Sequence, residues 1–524
     1  MNEGHLKQLA QIGIALSAEK DINKLLEMIV DEARNLTLAD AGTLYIVDTE
    51  KKQLRFEILQ NETLKIRMGG TSGAEINLPP VPLETIGQPN YANVSSYVAL
   101  TEKIVNIPDL YEAEGFDFSG SRTYDAATGY RSTSILVIPM KNHEGDIIGV
   151  LQLLNAKDPD SGEVVPFAPQ SVDSVASLAS QAAVALTNRK LIQDSVNLFD
   201  AFMKSIATAI DKKSPYTGGH IRRVTELTMM IAERINAATE GPFADFHFSD
   251  DELEELHVAA WMHDVGKIVM PEHVVSKKTK LESIFDRVQL IETRFQLIKQ
   301  AKENEHLRRR LKLLDSEKTD DRALRELDEK FEEEIKNLQQ ERDFVLSCNT
   351  PTEFMSDESA THLKQIARKT YQVDGQEHPY LSEEELDSLS IRRGNLTPKE
   401  REIIEGHASM SIKMLNELPF PKKLARVPEY AGAHHEKLDG SGYPLGLKAD
   451  QLPLQARIIA IADVLESLTA RDRPYRSPVD LSQAMEILRH MKQNNHIDPD
   501  LYDLLVNTSL YKEYARKILG VAGL

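Results

Sequence analysis

The chain has 524 residues, too many for one hydrophobic core, so two or three domains are expected. Its 41% hydrophobic and 27% charged composition is that of a globular protein with long surface helices, and a net charge of −20 excludes a general binder of nucleic acid or anionic membrane, because both need a basic surface. Cys348 is the sole cysteine, which excludes a disulfide framework and a thiolate metal site. No apolar run approaches the ~20 residues that span a bilayer, and the start, MNEGHLKQLAQIGIAL, lacks the basic-then-apolar order of a signal peptide. A soluble protein of a reducing cytoplasm is the expectation.

Residues 1–190 read as α+β. Helices over 6–16 and 22–36 precede strands at 42–47 and 54–59, and later strands at 134–139 and 147–154 flank a hairpin turn containing Asn142 and Gly145. From 170 to 212 the pattern is helical throughout, with Val172, Val175, Leu178, Ala179, Ala182 and Leu186 on one stripe. Its last part, 191–212, reads as a rigid connector into a second domain over 213–524. Such connectors pair in parallel across a dimer, so a homodimer is expected.

Beyond Asp211 the pattern is helical nearly everywhere. Ser249-Asp-Asp-Glu252 is a capping box, Gly266 marks the end of the helix it opens, and Thr397-Pro-Lys-Glu400 opens another. Between them, 281–395 differs in kind. Leu281, Ile284, Val288, Ile291, Phe295 and Ile298 form one apolar seam, and Leu324, Leu327, Phe331, Ile335, Leu338 and Val345 form another after a polar break. Two seams joined by a polar turn predict an antiparallel coiled-coil hairpin, inserted into the second domain and without evident chemistry.

The chemistry gathers around His263-Asp264-Val-Gly-Lys267. Neutral imidazole and carboxylate both bind divalent ions, but a single His-Asp pair is equally a capping Asp beside a core His. The rest of the set weighs against that reading. His220 begins a helix after Thr217-Gly-Gly, and His407 lies on the helix opened by Thr397. His434 and His435 are adjacent and lead into Glu436-Lys-Leu-Asp-Gly-Ser-Gly442-Tyr443-Pro444, and Asp463 stands in an apolar helix. A carboxylate there is costly to bury without a cation or hydrogen-bond donors. Five histidines and two aspartates suffice for two metal ions.

In their order, HD-x-G-K, HHE-x-x-DG-x-GYP and a helical IAD resemble the HD-GYP subgroup of the HD-superfamily phosphohydrolases, over about 211–480 apart from the insertion. The resemblance implies an all-α domain that binds two or three iron or manganese ions and hydrolyses cyclic di-GMP to linear pGpG or GMP. Carried across residue by residue, it makes His220, His263, Asp264, His407, His434, His435 and Asp463 metal ligands, with Asp264 bridging, and sets Lys267 on a phosphate oxygen. Members with a third ion supply a Glu one helical turn before the first His; Tyr216 stands there instead, so two ions are expected, with Glu226 or Glu436 as substitutes for the missing ligand. Metal-activated water and Lys267 would serve the hydrolysis. Gly442, Tyr443 and Pro444 suit a substrate-facing loop that offers an aromatic ring to guanine. Arg473 fits either a phosphate contact or an exposed helix end. His257 reads as packed or half-exposed, and His306 among others as a surface residue.

In the first domain, residues 106–116, 128–136 and 149–155 resemble a GAF domain of the kind found in cyclic-nucleotide phosphodiesterases. The Asn-Lys, Phe and Asp-Glu signature of those domains is incomplete: Asn155 and Lys157 are offset by Ala156, Phe167 is present, and Ser174 follows Asp173. A bound cyclic nucleotide, another small ligand and a purely dimerising role all remain open. For the whole chain the leading reading is a GAF-regulated, metal-dependent cyclic di-GMP phosphodiesterase. The alternatives are a different cyclic dinucleotide as substrate and a catalytically silent nucleotide-sensing signalling protein.

Overall fold

The computed structural model describes residues 3–213, 219–315, 321–351, 354–373, 375–470 and 479–520, and the chain divides into two units, Met1–Phe199 and Asp200–Leu524. In the first, α1 (Glu3–Ala18) is followed by α2 (Ile22–Thr37), whose start is fixed by Asp21 accepting from the backbone N–H groups of Asn23 and Lys24. Leu25, Leu26, Ile29, Val30 and Ala33 recur at helical spacing and are buried.

The eight-stranded sheet has as its main path β1 (Ala39–Asp48), β2 (Gln53–Asn61), β3 (Ile66–Gly69), β4 (Val105–Ile107), β5 (Ile135–Lys141) and β6 (Ile147–Lys157), in the order β3-β2-β1-β6-β5-β4, with short strands Val81–Pro82 on β2 and Val164–Val165 on β6, all neighbours antiparallel. Alternating side chains of the strands supply two cores. One packs on α1, α2 and the first half of α5 (Pro169–Lys213). The other lies under α3 (Val94–Thr101) and the segment leading into α4 (Ser119–Thr128). Neither α3 nor α4 is foreseen in the sequence reading. The GAF signature positions are turned to structural work. The Asn155 amide accepts from Thr133 N–H (2.7 Å) and donates to Tyr130 Oη (2.9 Å) and the Arg131 carbonyl (2.8 Å). The Lys157 ammonium pairs with buried Asp40, and Phe167 lies in the core.

In the second unit, α6 (His220–Asn236) and α7 (Asp250–Met262) pack together, and α7 opens with the expected reciprocal cap of Ser249 and Glu252. The helix ends at Met262, and Gly266 lies beyond it in a 3₁₀ turn (Val265–Val269) instead of capping it. The reason is a close approach: a Cβ on Gly266 would lie 2.0 Å from the His407 carbonyl oxygen. The insertion follows. Its helices α8 (Val288–Leu314) and α9 (Asp321–Asn349) form a hairpin, completed by α10 (Asp357–Ala367), a β7–β8 ribbon (Thr370–Val373 with Gln376–Pro379) and α11 (Glu383–Leu389) around a core of its own.

That core departs from a continuous coiled-coil seam. Ile291, Phe295 and Ile298 meet Leu338 and Val345 at the base of the hairpin. Further out a polar layer takes over: His306 Nε2 is 3.0 Å from Asp328 and its ring stacks on Phe331, and Lys302 pairs with Glu334. His306 is thus packed against an aromatic ring, contrary to the surface reading. Ile284, assigned to the inner seam by spacing, precedes the helix and is 92% exposed. The unit is completed by α12 (Pro398–Asn416), capped by Thr397 and Glu400, then α13 (Val427–Gly432), α14 (Leu454–Thr469), α15 (Leu481–Gln493), α16 (Pro499–Asn507) and α17 (Leu510–Lys517). Among the described residues no helix is long and apolar enough to cross a membrane.

Candidate metal centre

Five helices deliver seven side chains to one place. His220 is the first residue of α6, His263 and Asp264 follow α7, His407 lies in the middle of α12, His434 and His435 follow α13, and Asp463 sits in α14. Asp264 is the hub. Its Oδ2 lies 3.6 Å from His220 Nε2 and 3.4 Å from His263 Nε2, and its Oδ1 lies 3.3 Å from His407 Nε2 and 3.9 Å from His434 Nε2. Asp463 approaches His220 Nε2 at 3.3 Å. The His435 ring centre lies 4.0 Å from that of His434 and 5.0 Å from that of His407. Two groups have ligand atoms close enough to share an ion: His220, His263 and Asp264, and His407, His434 and His435.

The backbone fixes which ring nitrogens face inward. The Nδ1 atoms of His263, His407 and His434 lie 2.8, 2.5 and 2.6 Å from the carbonyls of Ala260, Ile404 and Ala431, each three residues earlier. A carbonyl only accepts, so each Nδ1 carries the proton and each Nε2 presents a lone pair. Those three Nε2 atoms and Asp264 Oδ1 are buried without a hydrogen-bond partner. Four orphaned acceptors converging in one place are a costly arrangement for an inert core, and they match the ligand set of a cation. Burial drives the pKa of His434 well below the ordinary imidazole value and that of His435 down to about 3, so both rings stay neutral.

The carboxylates answer to positive charge. Burial opposes ionisation of Asp264, but the charge of Lys267 and the hydrogen bond from His220 help to outweigh it and hold its pKa well below the carboxylate range. Burial likewise opposes ionisation of Asp463, and the hydrogen bond and charge of His220 outweigh it. For His220 burial disfavours the charged ring, yet Glu466, Asp264 and Asp463 raise its pKa well above normal. Three carboxylates around one imidazole demand positive charge, which a proton or a metal ion can supply.

Glu466 is absent from the sequence reading. It is fully buried and contacts His220 Nδ1, and its other oxygen accepts from Arg223 Nε at 2.7 Å. The signal was present: Glu466 lies one turn beyond Asp463 in the same apolar helix, and Arg223 one turn beyond His220. Ser411 is a second omission. Its hydroxyl accepts from Gly266 N–H (2.9 Å) and donates to the His263 carbonyl (3.0 Å), fastening α12 to the His-Asp turn. Gly266→Ala would place a Cβ 2.0 Å from the His407 carbonyl oxygen and 2.7 Å from Ser411 N, both backbone atoms. The expected result is a loss of about 3 kcal/mol in urea unfolding, together with weakened metal retention as α12 is pushed away from Asp264.

Lys267 Nζ is 2.5 Å from Asp264 Oδ2 and partly exposed at the rim. The loop after His435 is held from within: Glu436, a candidate third-ion ligand on sequence grounds, accepts from the N–H groups of Leu445 (2.6 Å), Gly446 (3.1 Å) and Leu447 (2.9 Å). Glu226, the other candidate, pairs with Arg222 at 2.6 Å. Gly442 lies so close to the preceding chain that a Cβ would be 2.4 Å from Glu436 Cα. Next to it the Tyr443 ring packs 4.8 Å from that of His435, and the bond to Pro444 is cis. Burial raises the Tyr443 pKa, which keeps its hydroxyl neutral. His257 accepts from Trp261 Nε1 at 3.2 Å, away from this set. Arg473 and Tyr216 lie outside the described residues.

Residues 21–186 match the GAF domain family, and 217–340 and 384–501 match HD domain families, the first match running on into the insertion as far as residue 340. The chain thus carries a GAF domain and HD domains, and its HD, HHE and GYP motifs lie within the HD matches. It is 41% identical over 123 residues to 3'3'-cGAMP-specific phosphodiesterase 1 of Vibrio cholerae, covering 24% of this chain and 28% of that protein. It is 39% identical over 98 residues to the cyclic di-GMP phosphodiesterase of Thermotoga maritima, covering 19% of this chain and 26% of that protein. The chain thus spans little more than a quarter of these relatives. Among solved structures, a GAF domain/HD domain protein from Geobacter sulfurreducens aligns with 34% of this chain and 98% of its own, at 14% identity and a TM-score of 0.24.

Proposed function

We propose that the chain is a metal-dependent phosphodiesterase that opens cyclic di-GMP to pGpG or GMP. The observation that carries this reading is the convergence of His263 Nε2, His407 Nε2, His434 Nε2 and Asp264 Oδ1, all buried and without partners. His220, His263, His407, His434, His435, Asp264 and Asp463 are assigned as ligands of two divalent cations, iron or manganese. The two oxygens of Asp264 face the two histidine groups, so it would hold both ions. Bound there, such ions lower the pKa of water and neutralise phosphodiester charge.

The chain's own residues have distinct parts in this scheme. The ammonium of Lys267, at the rim beside Asp264, is assigned to a non-bridging phosphate oxygen, where it offsets charge that grows in the transition state. Glu466 keeps the proton of His220 on Nδ1 and so directs Nε2 inward. The Gly442-Tyr443-Pro444 loop, tied down by Glu436, forms the wall on the His435 side. Because α5 runs unbroken from the first unit into the second, it is the proposed route by which a ligand of the GAF domain, a cyclic nucleotide among the candidates, alters activity. A specific similarity favours a second reading of the substrate: three of the relatives are named as 3'3'-cGAMP-specific.

The full chain, loaded with iron or manganese, should convert cyclic di-GMP or 3'3'-cGAMP to linear products, and the faster of the two names the substrate. A fully metallated protein that opened neither would defeat the phosphodiesterase reading and favour a silent sensor. Lys267→Ala should retain its metal and lose about 10²-fold in kcat. Measured metal content beside turnover separates this from a ligand defect.

A further inference from the structure

The insertion carries a second apolar stripe, on the face of α8 opposite its core. The inner face, with Ile291, Phe295 and Ile298, is buried against α9 and its neighbours. On the outer face Leu290, Leu297, Leu307, Leu311 and Leu314 are between 40% and 60% exposed. Their spacing is regular: 290, 297, 304 and 311 are seven apart, as are 307 and 314, and Asn304 fills the one polar position of the first series. These are the a and d positions of a heptad repeat, with Leu290, Leu297, Asn304 and Leu311 at a and Thr293, Gln300, Leu307 and Leu314 at d, so both series are apolar at the far end of the helix. Nothing in the hairpin's own packing requires this register, because the inner seam occupies the other side of the helix.

We infer that the outer face of α8 pairs with the same face of a second copy of this chain as a parallel, in-register, two-stranded coiled coil. The flanking charges select this partner and this direction. In a parallel pair each g residue faces the e residue five positions later on the other helix. Glu303 of one copy then meets Arg308 of the other, and Arg310 meets Asp315, each twice by symmetry. Reversing one helix about the same stretch would set Glu303 against Glu303. Within one chain these charges are only loosely engaged: Glu303 lies 3.7 Å from Lys299, and Arg310 lies 3.6 Å from Asp328. An asparagine at one a position also favours two strands in register over other assemblies. This surface is independent of the metal centre, so its test does not depend on the proposed activity.

The test uses the full chain carrying Leu290→Cys or Leu311→Cys, with Glu305→Cys, away from the stripe, and the natural sequence as controls. Under mild oxidation each of the two stripe variants should form a covalent dimer with itself, and neither control should. In sedimentation, Glu303→Arg should weaken self-association by about tenfold, and adding Arg308→Glu should restore most of the loss. A monomeric protein would overturn the inference. So would a dimer in which both stripe variants stay reduced, which would mean that the copies meet elsewhere. Cross-linking found only when the Leu290→Cys and Leu311→Cys chains are mixed would reveal an antiparallel pair and equally overturn it.

Discussion

An Asp264→Asn variant should fold normally yet lose its metal ions and about 10³-fold or more of its turnover. Asparagine keeps the volume of the side chain and one acceptor oxygen for Lys267, which is partly exposed, so the fold has little reason to suffer. The loss is one of charge and of one oxygen. Asp264 is the only member of the set whose two oxygens reach both histidine groups, at 3.3 Å from His407, 3.4 Å from His263, 3.6 Å from His220 and 3.9 Å from His434. Its carboxyl is held well below the usual pKa, so at neutral pH it carries a full negative charge that the amide cannot replace. Metal analysis after dialysis, urea unfolding and turnover on one preparation make the check. A variant that kept the natural metal content would remove Asp264 from its bridging role. His257→Ala, on α7 six residues before His263 and bound to Trp261, should leave both metal and turnover unchanged.

How much of this was legible in the sequence divides along a physical line. The seven converging residues could be read because each is an anomaly where it stands: tandem imidazoles, or a carboxylate in an apolar helix, are too costly to bury singly. The same argument reaches Glu466, whose fully buried carboxylate differs from Asp463 only in facing a histidine edge and an arginine. What spacing did not reveal was the direction of each tie. Gly266 looks like a helix stop in one dimension, and only the backbone of α12 pressed against it explains why no side chain fits. Glu436 beside the tandem histidines looks like a ligand, but three N–H groups of the following loop claim its oxygens. The insertion failed for a different reason. Ile284 keeps the spacing of the inner seam but stands before the helix begins, and where two stripes of similar period run along α8, periodicity alone cannot say which faces its own chain, so the outer leucines are passed over.

Glu466→Ala should be the most destabilising single change at the centre, by about 3–5 kcal/mol in urea unfolding. The side chain is fully buried, and its removal leaves Arg223, itself buried, without the carboxylate that accepts from its Nε at 2.7 Å. Taking a carboxylate away from a buried guanidinium costs more than the intact pair contributes. His220 suffers too: without an acceptor at Nδ1 its ring is free to change tautomer or turn, and metal affinity should fall by about 10–100-fold. Two further variants separate these effects. Glu466→Gln keeps an acceptor for the ring but loses the charge facing Arg223, so it should retain more metal than the alanine variant at a similar cost in stability. Arg223→Met combined with Glu466→Ala removes both charges, so it should recover much of the stability while His220 still lacks its acceptor and metal binding remains weak. Recovery of stability and metal affinity together in the double variant would show that Glu466 acts only through folding. Recovery of stability alone would make it a residue that aims His220 at the cations.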